Sequence, residues 1–596
     1  MKLSSKARLS FLVLIILMGS VVVYATTIGP AGVYDTPWGN FTVGVKTPSI
    51  ELNGVTRTTW WGAVNPFDQN LNTSDEVDFA GYSLNSVNKT DIFAYPQQDY
   101  SYLISVDNST GTPDYCAKNG TTGEIEFSGI DAATVIQSAS TNGRKIFLKA
   151  GTYIIPSGNP AIAVTEGNRV FEGAGASTIL QYNGAIGFLF KVGYQAEQIE
   201  NSVFRNIKFV GNITEDENHF IGFGNVTNVL VEGCVFDGAG DESLSLTKDT
   251  RDIIIRSNWF VNKNSYNLGS FISVQCRSVL IEGNIFSSNI DSEGDGVALE
   301  AIAGTESVGD VIISNNVFYG EGNVHSGVNV YAGVFDIDNL IIVGNLIYNY
   351  NFSGIYIGHS GSNNVRTVLI NQNVINGGGN QTASRSAIWI NNRCQNVIVS
   401  NNEVLNWGIE KSDAYGIQTS APNTILQGNW LKNIGNQGII INGDGSQAIG
   451  NTIVDSQREY TLGAISIGAD YVKIIGNSLV DGYRGIRTSS TATDGVIIGN
   501  SFESISIEFD NTSGGNFSFR DNIGFVTENT GSVTVYNTNT TVVITPGLAS
   551  NATSITITPS WDGSPYISAS DVTTFTVTFT DPTATKTIYW TATYAP

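Results

Sequence analysis

One short pattern recurs along most of this 596-residue chain: an apolar run, a small or polar residue, an Asn and a second apolar pair. One copy runs from Val279 to Phe286 and the next from Val311 to Phe318. Self-similarity at a period of about 20–50 residues is typical of repeat proteins, in which each repeat contacts only its neighbours. The recurring Asn falls at positions 206, 258, 284, 316, 345, 373, 402, 429, 451, 477, 500 and 522, and Cys234 takes the same place between the first two.

A second motif, Gly or Ala before an apolar-x-apolar triplet, lies between the Asn motifs, for example at 327–330, 354–357 and 387–390. Each repeat therefore contains three short strands with β-branched residues at period two. Because successive repeats keep the same order, equivalent strands must stack in parallel, coil over coil. The sequence predicts an all-β protein whose main body is a right-handed parallel β-helix with three-stranded coils.

The recurring Asn is expected at the tight turn between two strands. Asn tolerates the left-handed backbone conformation that such turns need. Amide side chains stacked on successive coils can also hydrogen-bond to one another as an Asn ladder.

The predicted coils also decide the state of the cysteines. Cys276 and Cys394 follow equivalent strands four coils apart, which corresponds to about 19 Å. A disulfide needs Cα atoms within roughly 7 Å. We therefore expect Cys234, Cys276 and Cys394 to be buried thiols, and the pattern leaves Cys116 undetermined.

The first 25 residues have the features of a secretory signal peptide. Lys2, Lys6 and Arg8 precede an apolar stretch, and small residues before Thr26 suit cleavage there. An uncleaved anchor is the alternative; no second apolar segment follows, so we expect a secreted or cell-surface protein without a further membrane span. Acceptor sequences for N-glycosylation, which indicate a glycoprotein only weakly, begin at Asn40, Asn72, Asn88, Asn108, Asn119, Asn212, Asn225, Asn351, Asn380, Asn511, Asn516, Asn539 and Asn551.

The chain is strongly acidic. Its formal net charge is −23, and loss of the three cations of the leader takes the charge to −26. Such a protein repels nucleic acid, so we expect no nucleic-acid partner. A polyanionic ligand is also disfavoured, unless a cation or a local basic patch intervenes.

Both ends differ from the repeat. Residues 26–128 are polar and irregular, and we interpret them as an N-terminal accessory region. The repeat occupies residues 129–527. From 528 to 596 apolar and polar residues alternate, as at 574–579, which predicts a small C-terminal antiparallel β module.

The start of the repeat resembles a known superfamily. Asp131 to Gln137, then Ile146 to Ile155 with its Gly-Thr-Tyr, then Val170 to Leu180 with its Gly-x-Gly-x-x-Thr resemble the opening of pectate-lyase-superfamily β-helix proteins. That superfamily includes polysaccharide lyases, glycoside hydrolases and phage tailspikes. The resemblance covers residues 129–527 and is specific for fold rather than function. It implies a saccharide groove on the outer face of one stacked sheet, and terminal modules of this kind imply a homotrimer or attachment.

In that groove the outward residues of the Gly/Ala-apolar strands are candidate saccharide contacts. Tyr331, Tyr356 and Trp389 form a line of aromatic rings, on which sugars can stack. The polar residues expected to contact a saccharide beside them are Asn329, Gln418 and Arg487. The alternative is that these rings are ordinary surface residues of a β-sheet.

Acidic residues near the same strands are candidates for catalysis. Glu242, Asp295 and Glu300 could supply the paired acid and base of glycosidic hydrolysis. The alternative is that they are solvated acids of an acidic protein. None of the catalytic motifs of polygalacturonases or pectate lyases is present, so no catalytic residue is transferred from the superfamily.

Metal binding has one sequence candidate. Asp291, Glu293 and Asp295 place oxygen ligands at alternate positions, a pattern that could hold Ca²⁺. His219, His325 and His359 lie on different coils and have no zinc-ligand spacing.

Three functions stay open at the level of sequence. The first is an enzyme that cleaves extracellular polysaccharide, as a lyase or a hydrolase. The second is a protein that binds such a polysaccharide without cleaving it. The third is a structural or adhesive surface or fibre protein.

Overall fold

The computed structural model describes the chain as two units, residues 1–95 and 96–596. In the first unit the described residues pair Leu12–Leu17 with Ser20–Ala25 and Ile50–Leu52 with Val55–Arg57, both antiparallel. The signal peptide and the accessory region stay predictions there. The second unit is described from residue 100 onward, except at 110, 112–113, 159, 185, 196, 212–216, 248, 263–268, 289–293, 302–307, 321–324, 360–362, 379–384, 410–412, 457–461, 513–514, 526–527, 537–538, 549–550, 562–563, 572, 581–583 and 595–596.

Three strands per coil, each paired in parallel with its equivalents on the next coils, build the main body of the second unit. We name them the back, side and front sheets, in the order in which the chain visits them. The back sheet contains Lys145–Leu148, Arg169–Gly173, Ile199–Arg205, Val226–Glu232, Arg251–Arg256, Arg277–Glu282, Val308–Ser314, Ile337–Val343, Val365–Asn371, Cys394–Ser400, Ile425–Gln427, Gln447–Ile449, Val472–Ile475, Asp494–Ile498 and Asn516–Arg520. This parallel stack confirms the predicted β-helix.

The other two sheets meet at a corner, where the long strands Ser478–Thr488 and Ser501–Asn511 run through both. The side sheet contains Gly151–Ile155, Thr178–Tyr182, Lys208–Val210, Val235–Asp237, Trp259–Val261, Ile285–Ser288, Val317–Gly320, Leu346–Tyr350, Val374–Gly378, Glu403–Leu405, Trp430–Ile434 and Thr452–Ser456. The front sheet contains Ile162–Val164, Ile186–Val192, Glu217–Phe223, Leu244–Leu246, Ser270–Val274, Asp295–Glu300, Ser326–Ala332, Ser353–His359, Arg385–Ile390, Ala414–Thr419, Ile439–Ile441 and Ile465–Ile467.

The predicted Asn ladder runs without a break from Asn258 to Asn522. Each side chain from Asn258 to Asn500 donates from Nδ2 to Oδ1 of the next Asn, for example from Asn345 to Asn373 at 2.9 Å, and to a backbone carbonyl of the preceding coil. Cys234 sits in the same slot, and its backbone N–H donates to Oδ1 of Asn258 at 2.9 Å. The ladder satisfies polar groups inside the rod that water cannot reach.

Two details of the ladder prediction are wrong. The left-handed backbone lies at the residue before each ladder Asn, as at Asn315 (φ 54°) and Gly344 (φ 67°), because the Asn itself must point inward to bond its neighbours. Asn206 occupies that preceding position: it is exposed with φ 57°, and the buried Ile207 fills the inward slot of its coil.

The interior is filled by apolar side chains stacked coil over coil. Phe209, Phe236, Phe260, Phe286 and Phe318 form one column, with ring centroids 4.6–4.9 Å apart. This separation equals the spacing of hydrogen-bonded strands, about 4.8 Å, so each ring covers the one below.

The start of the rod is covered by a helix, Ala132–Asn142, whose apolar face is buried. Asp131 caps it, because its side chain accepts a hydrogen bond from the backbone N–H of Ala133 at 3.0 Å. The strands Tyr102–Asp107, Asp114–Asn119 and Ile125–Gly129 extend the back sheet beyond the first coil, and the first of them pairs in parallel with Lys145–Leu148.

The C-terminal segment forms two antiparallel three-stranded sheets, which confirms the predicted β module. One contains Glu528–Val535, Lys586–Thr593 and Ser554–Pro559, and the other contains Thr541–Ile544, Phe575–Thr578 and Tyr566–Ser570. The module has its own small core, separate from that of the rod.

Cys234, Cys276 and Cys394 are free and buried, as the coil geometry predicts, and Cys116, which the pattern leaves undetermined, is free as well. Burial raises the pKa of Cys234 and of Cys394 to about 12, and that of Cys276 well above its usual value. Since the thiolate is the reactive form, a thiol reagent at pH 8 should label at most Cys116 in the folded protein and all four thiols after denaturation. Rapid labelling of two or more thiols in the folded state would contradict this burial.

Candidate functional site

The outer face of the front sheet carries one row of side chains, one from each coil, which we call the central row. Parallel pairing fixes its order. The row contains Ser245, Ser273, Ala298, Asn329, Tyr356, Trp389, Gln418, Ile440, Ser466 and Arg487. This is the order that the sequence predicts, so Asn329, Tyr356 and Trp389 are neighbours in space as well as in the repeat.

Burial divides the central row into two parts. Ser273 and Ala298 are buried although they point away from the rod, whereas Asn329, Tyr356 and Trp389 are half-buried. Tyr331 lies beside this row, at the register position that follows Glu300, and 38% of its surface is exposed. The coils that carry the aromatic residues therefore belong to an accessible part of the row, which continues at Gln418.

Four rings on these coils form an aromatic cluster: His325, Phe352, Tyr356 and Trp389. The His325 ring stacks on Phe352 at 4.0 Å between centroids. Phe352 in turn lies 6.1 Å from Trp389, nearly parallel, and Tyr356 meets Trp389 edge to face at 5.1 Å. Such mutual packing fixes the ring planes, which is what a stacking surface for a sugar requires.

The aromatic cluster is connected to a buried carboxylate. Asp295, 4% exposed, accepts hydrogen bonds from the backbone N–H of Ser326 at 3.0 Å and from Nδ2 of Asn329 at 2.7 Å. Its Oδ1 also lies 2.8 Å from Nδ1 of His325. The carboxylate thus orients the imidazole through Nδ1, and Nε2 is the nitrogen that does not contact Asp295. A carboxylate that orients a histidine in this way is known from acid–base pairs in enzymes.

Glu300 ends the strand that Asp295 begins. Its Oε2 accepts hydrogen bonds from Oγ of Ser273 at 3.2 Å and from Nε2 of Gln275 at 3.5 Å. Burial, with the charges of Glu242 and Asp295 as further causes, raises the pKa of Glu300 above its usual value. Glu300 therefore holds its proton to a higher pH than an ordinary glutamate.

The side chains of Asp295 and Glu300 flank Ala298 from opposite sides. Asp295 bonds to Asn329 on the coil after Ala298, and Glu300 bonds to Ser273 on the coil before. Ser273 and Asn329 are two coils apart, about 10 Å, so the two carboxyl groups contact the neighbours of Ala298 on opposite sides along the central row.

The remaining predicted residues lie further away. Glu242 approaches His219, with Oε2 2.5 Å from Nδ1. Gln418 accepts a hydrogen bond from Ser386 at 2.8 Å, next to Trp389. Arg487 lies four coils beyond Trp389, about 19 Å away, beside Asp510 at 3.6 Å. Of the predicted calcium ligands, Asp291 and Glu293 fall outside the described residues, so calcium binding stays a prediction.

Two members of the cluster were not predicted from the sequence, His325 and Phe352. Each is the residue just before a front strand, where the chain enters the front sheet. Neither is at an outward position within a strand, where the sequence predicts contacts. Their shared register is visible in the backbone, since the N–H of Phe352 donates to the carbonyl of His325 at 3.0 Å. Aligning the repeats on the Gly of 327–330 and 354–357 would have brought these two rings together.

Comparison with known proteins shows which class this fold represents. No family model matches the sequence, and no curated protein matches it. Among solved structures, a double mutant of the tailspike protein of E. coli bacteriophage HK620 matches at 13% identity with a TM-score of 0.51, over 78% of this chain and 90% of that one. At this identity the likeness shows the fold alone: the chain has the β-helix fold of that tailspike, which confirms the β-helix that the resemblance in the sequence implies.

Two further matches are saccharide complexes. The HK620 tailspike with a pentasaccharide matches at 13% identity and TM-score 0.47, over 78% of this chain and 90% of that one. The Gp54 tailspike of Acinetobacter baumannii bacteriophage AP22, in complex with a capsular saccharide, matches at 13% identity and TM-score 0.40, over 78% and 93% of the two chains.

Within the part of the chain that the structure describes, no helix is both long and apolar enough to cross a bilayer.

Proposed function

We propose that this protein binds an extracellular or cell-surface polysaccharide along the outer face of its front sheet. The observation that carries the proposal is the aromatic cluster, with two rings of the central row, Tyr356 and Trp389, on neighbouring coils. Asn329 and Gln418 continue that row on either side and supply amide groups for sugar hydroxyls. A repeating rod suits a repeating polymer, because the chain of sugars can follow the direction in which the coils stack.

Charge indicates which polysaccharide is favoured. Asp295 and Glu300 lie beside the aromatic cluster, and Glu242 is close enough for its charge to act on Glu300. Arg487 and Arg484, further along the groove, both lie near Asp510. The electrostatic field beside Asp295 and Glu300 therefore favours neutral or amino sugars over uronates.

The proposal predicts that Trp389→Ala weakens polysaccharide binding by at least tenfold. The variant removes a ring that contacts both Phe352 and Tyr356, so the stacking surface loses area and rigidity together. Binding would be measured by affinity electrophoresis or calorimetry against a panel of neutral, amino and uronate polysaccharides.

The matched control is Trp430→Ala. Trp430 is 42% exposed and begins a side-sheet strand, away from the central row. We expect this variant to bind like the unchanged protein. Equal loss in both variants, or no binding by the unchanged protein across the panel, would contradict the proposal and favour a structural or adhesive fibre.

Hydrolysis of the bound polysaccharide is the second candidate, favoured by the raised pKa of Glu300 opposite the Asp295–His325 pair. In this reaction Glu300 gives its proton to the glycosidic oxygen as the bond to the anomeric carbon breaks. The Asp295–His325 pair takes a proton from water, whose oxygen forms the new bond to that carbon. Neither step needs a further reactant.

Secretion and assembly belong to the same proposal. Export rests on the signal-like first 25 residues, and a homotrimer or an attachment role rests on the C-terminal β module. Both agree with a function at a cell surface, where long polysaccharides are found.

A further inference from the structure

We infer that His219, Asp241 and Glu242 form a site for one divalent first-row transition-metal ion, such as Zn²⁺ or Mn²⁺. One nitrogen of His219 and one oxygen of each acid lie within 4.8 Å of one another. Nδ1 of His219 is 2.5 Å from Oε2 of Glu242, and its Nε2 is 3.9 Å from Oδ2 of Asp241. A side-chain rotation that opens the contact between His219 and Glu242 would let one nitrogen of His219 and one oxygen of each acid bind a single ion at about 2.0–2.2 Å.

The fold holds these side chains in place. The His219 ring stacks on Phe188 of the preceding coil, at 4.3 Å between centroids and 14° between planes. The turn before Glu242 is fixed by Asn218, which is fully buried: its carbonyl accepts from the N–H of Gly240 and of Asp241, and its Oδ1 accepts from Gly240 at 2.6 Å. Residues that serve only as surface acids need no such support.

The charges in the cluster are unbalanced. Two carboxylates face one imidazole, so the group stays negative even when His219 is protonated. The three side chains are only 13–23% exposed, which reduces the solvation of this charge. A divalent cation would neutralise the excess, and it would also weaken the repulsion between Glu242 and Glu300.

A buried hydroxyl lies at the register position between Glu242 and Asp295. Ser270, 2% exposed, stands on the next coil at the register position of Glu242, since Leu244 pairs with Ile272. Within the described residues its Oγ has no hydrogen-bond partner. A buried polar atom is normally satisfied, and an ion with its bound water would satisfy this one.

The donor set selects the class of ion. One imidazole nitrogen with two carboxylates suits Zn²⁺ or Mn²⁺, whereas Ca²⁺ prefers six to eight oxygens. The site is distinct from the calcium pattern that begins at Asp291, and it does not depend on saccharide binding.

The test is a titration of the full chain, freed of metal with a chelator, with Mn²⁺ followed by electron paramagnetic resonance and with Zn²⁺ followed by calorimetry. We expect one equivalent to bind. Asp241→Asn and His219→Gln should each weaken binding by at least tenfold. Glu300→Gln removes a neighbouring charge but no ligand, and should change affinity by less than about threefold.

Three results would overturn the site. They are the absence of a stoichiometric ion in the unchanged protein, binding that Glu300→Gln weakens as much as Asp241→Asn does, and displacement of Mn²⁺ by Ca²⁺ at equal concentration. Circular dichroism would check the fold of each variant. Because Asp241→Asn preserves the size of the side chain, it decides the question if His219→Gln, which loses the stacking on Phe188, does not fold.

Discussion

Replacing Asn373 by Leu should lower the free energy of unfolding by about 3–6 kcal/mol. Oδ1 of Asn373 accepts from both the backbone N–H and the Nδ2 of Asn345, at 3.0 and 2.9 Å. Its Nδ2 donates to the carbonyl of Ile342 and to Oδ1 of Asn402. Leu can make none of these bonds, and each buried group left without a partner costs about 1–3 kcal/mol.

The measurement is denaturant unfolding followed by circular dichroism, with Gln395→Leu as the control. Gln395 is exposed on the back sheet and makes one long hydrogen bond, to Asn364 at 3.3 Å, so its replacement should cost less than about 0.5 kcal/mol. If the two variants unfold at the same denaturant concentration, the ladder does not stabilise the rod as described.

The architecture of the rod could be predicted because every coil must bury the apolar side of its strands in the same way. Alternating apolar residues assign one side of each strand to the interior, and a one-residue slip would expose them. The order of the central row follows from that alternation alone, so Asn329, Tyr356 and Trp389 were placed on neighbouring coils from the sequence.

The sequence predicts less well which of two adjacent turn positions an Asn occupies. Asn suits both the left-handed position and the inward ladder slot, so composition does not distinguish them. Asn315 and Asn316 occupy the two positions side by side, with φ 54° at the first and 0% exposure at the second. Asn206 was assigned to the wrong one, because the inward residue of its coil is Ile207 rather than another Asn.

The contacts of the candidate site depend on where each turn ends, which the repeat does not specify. His325 reaches Asp295 from the next coil, and the number of residues between equivalent positions differs from coil to coil. The same holds for His219, whose coil was recognised but whose approach to Glu242 was not. Repeats predict which coil a residue belongs to, and side-chain contacts at the turns decide what it can do.

Glu300→Gln should change how stability depends on pH. The pKa of Glu300 is raised in the folded protein above its ordinary value of 4.5, chiefly by burial. Protonated Glu300 therefore contributes to the stability of the folded protein. This contribution is fully present below the pKa of Glu300 in the unfolded chain, and it is lost as the pH rises through the higher pKa of Glu300 in the folded protein. Unfolding measured from pH 4 to 8 should show a smaller decline in stability for the variant than for the unchanged protein.

If the protein hydrolyses its polysaccharide, the same Glu300→Gln variant should lose cleavage by about 10²–10⁴-fold while retaining binding. Gln cannot donate a proton to the leaving oxygen, yet it preserves the size of the side chain beside Ser273 and Gln275. New reducing ends would be counted alongside the binding assay, with Glu282→Gln on the back sheet as a control of equal charge change. Cleavage that survives in Glu300→Gln would assign the acid to another residue. Binding without cleavage by the unchanged protein would leave the groove a site of recognition alone.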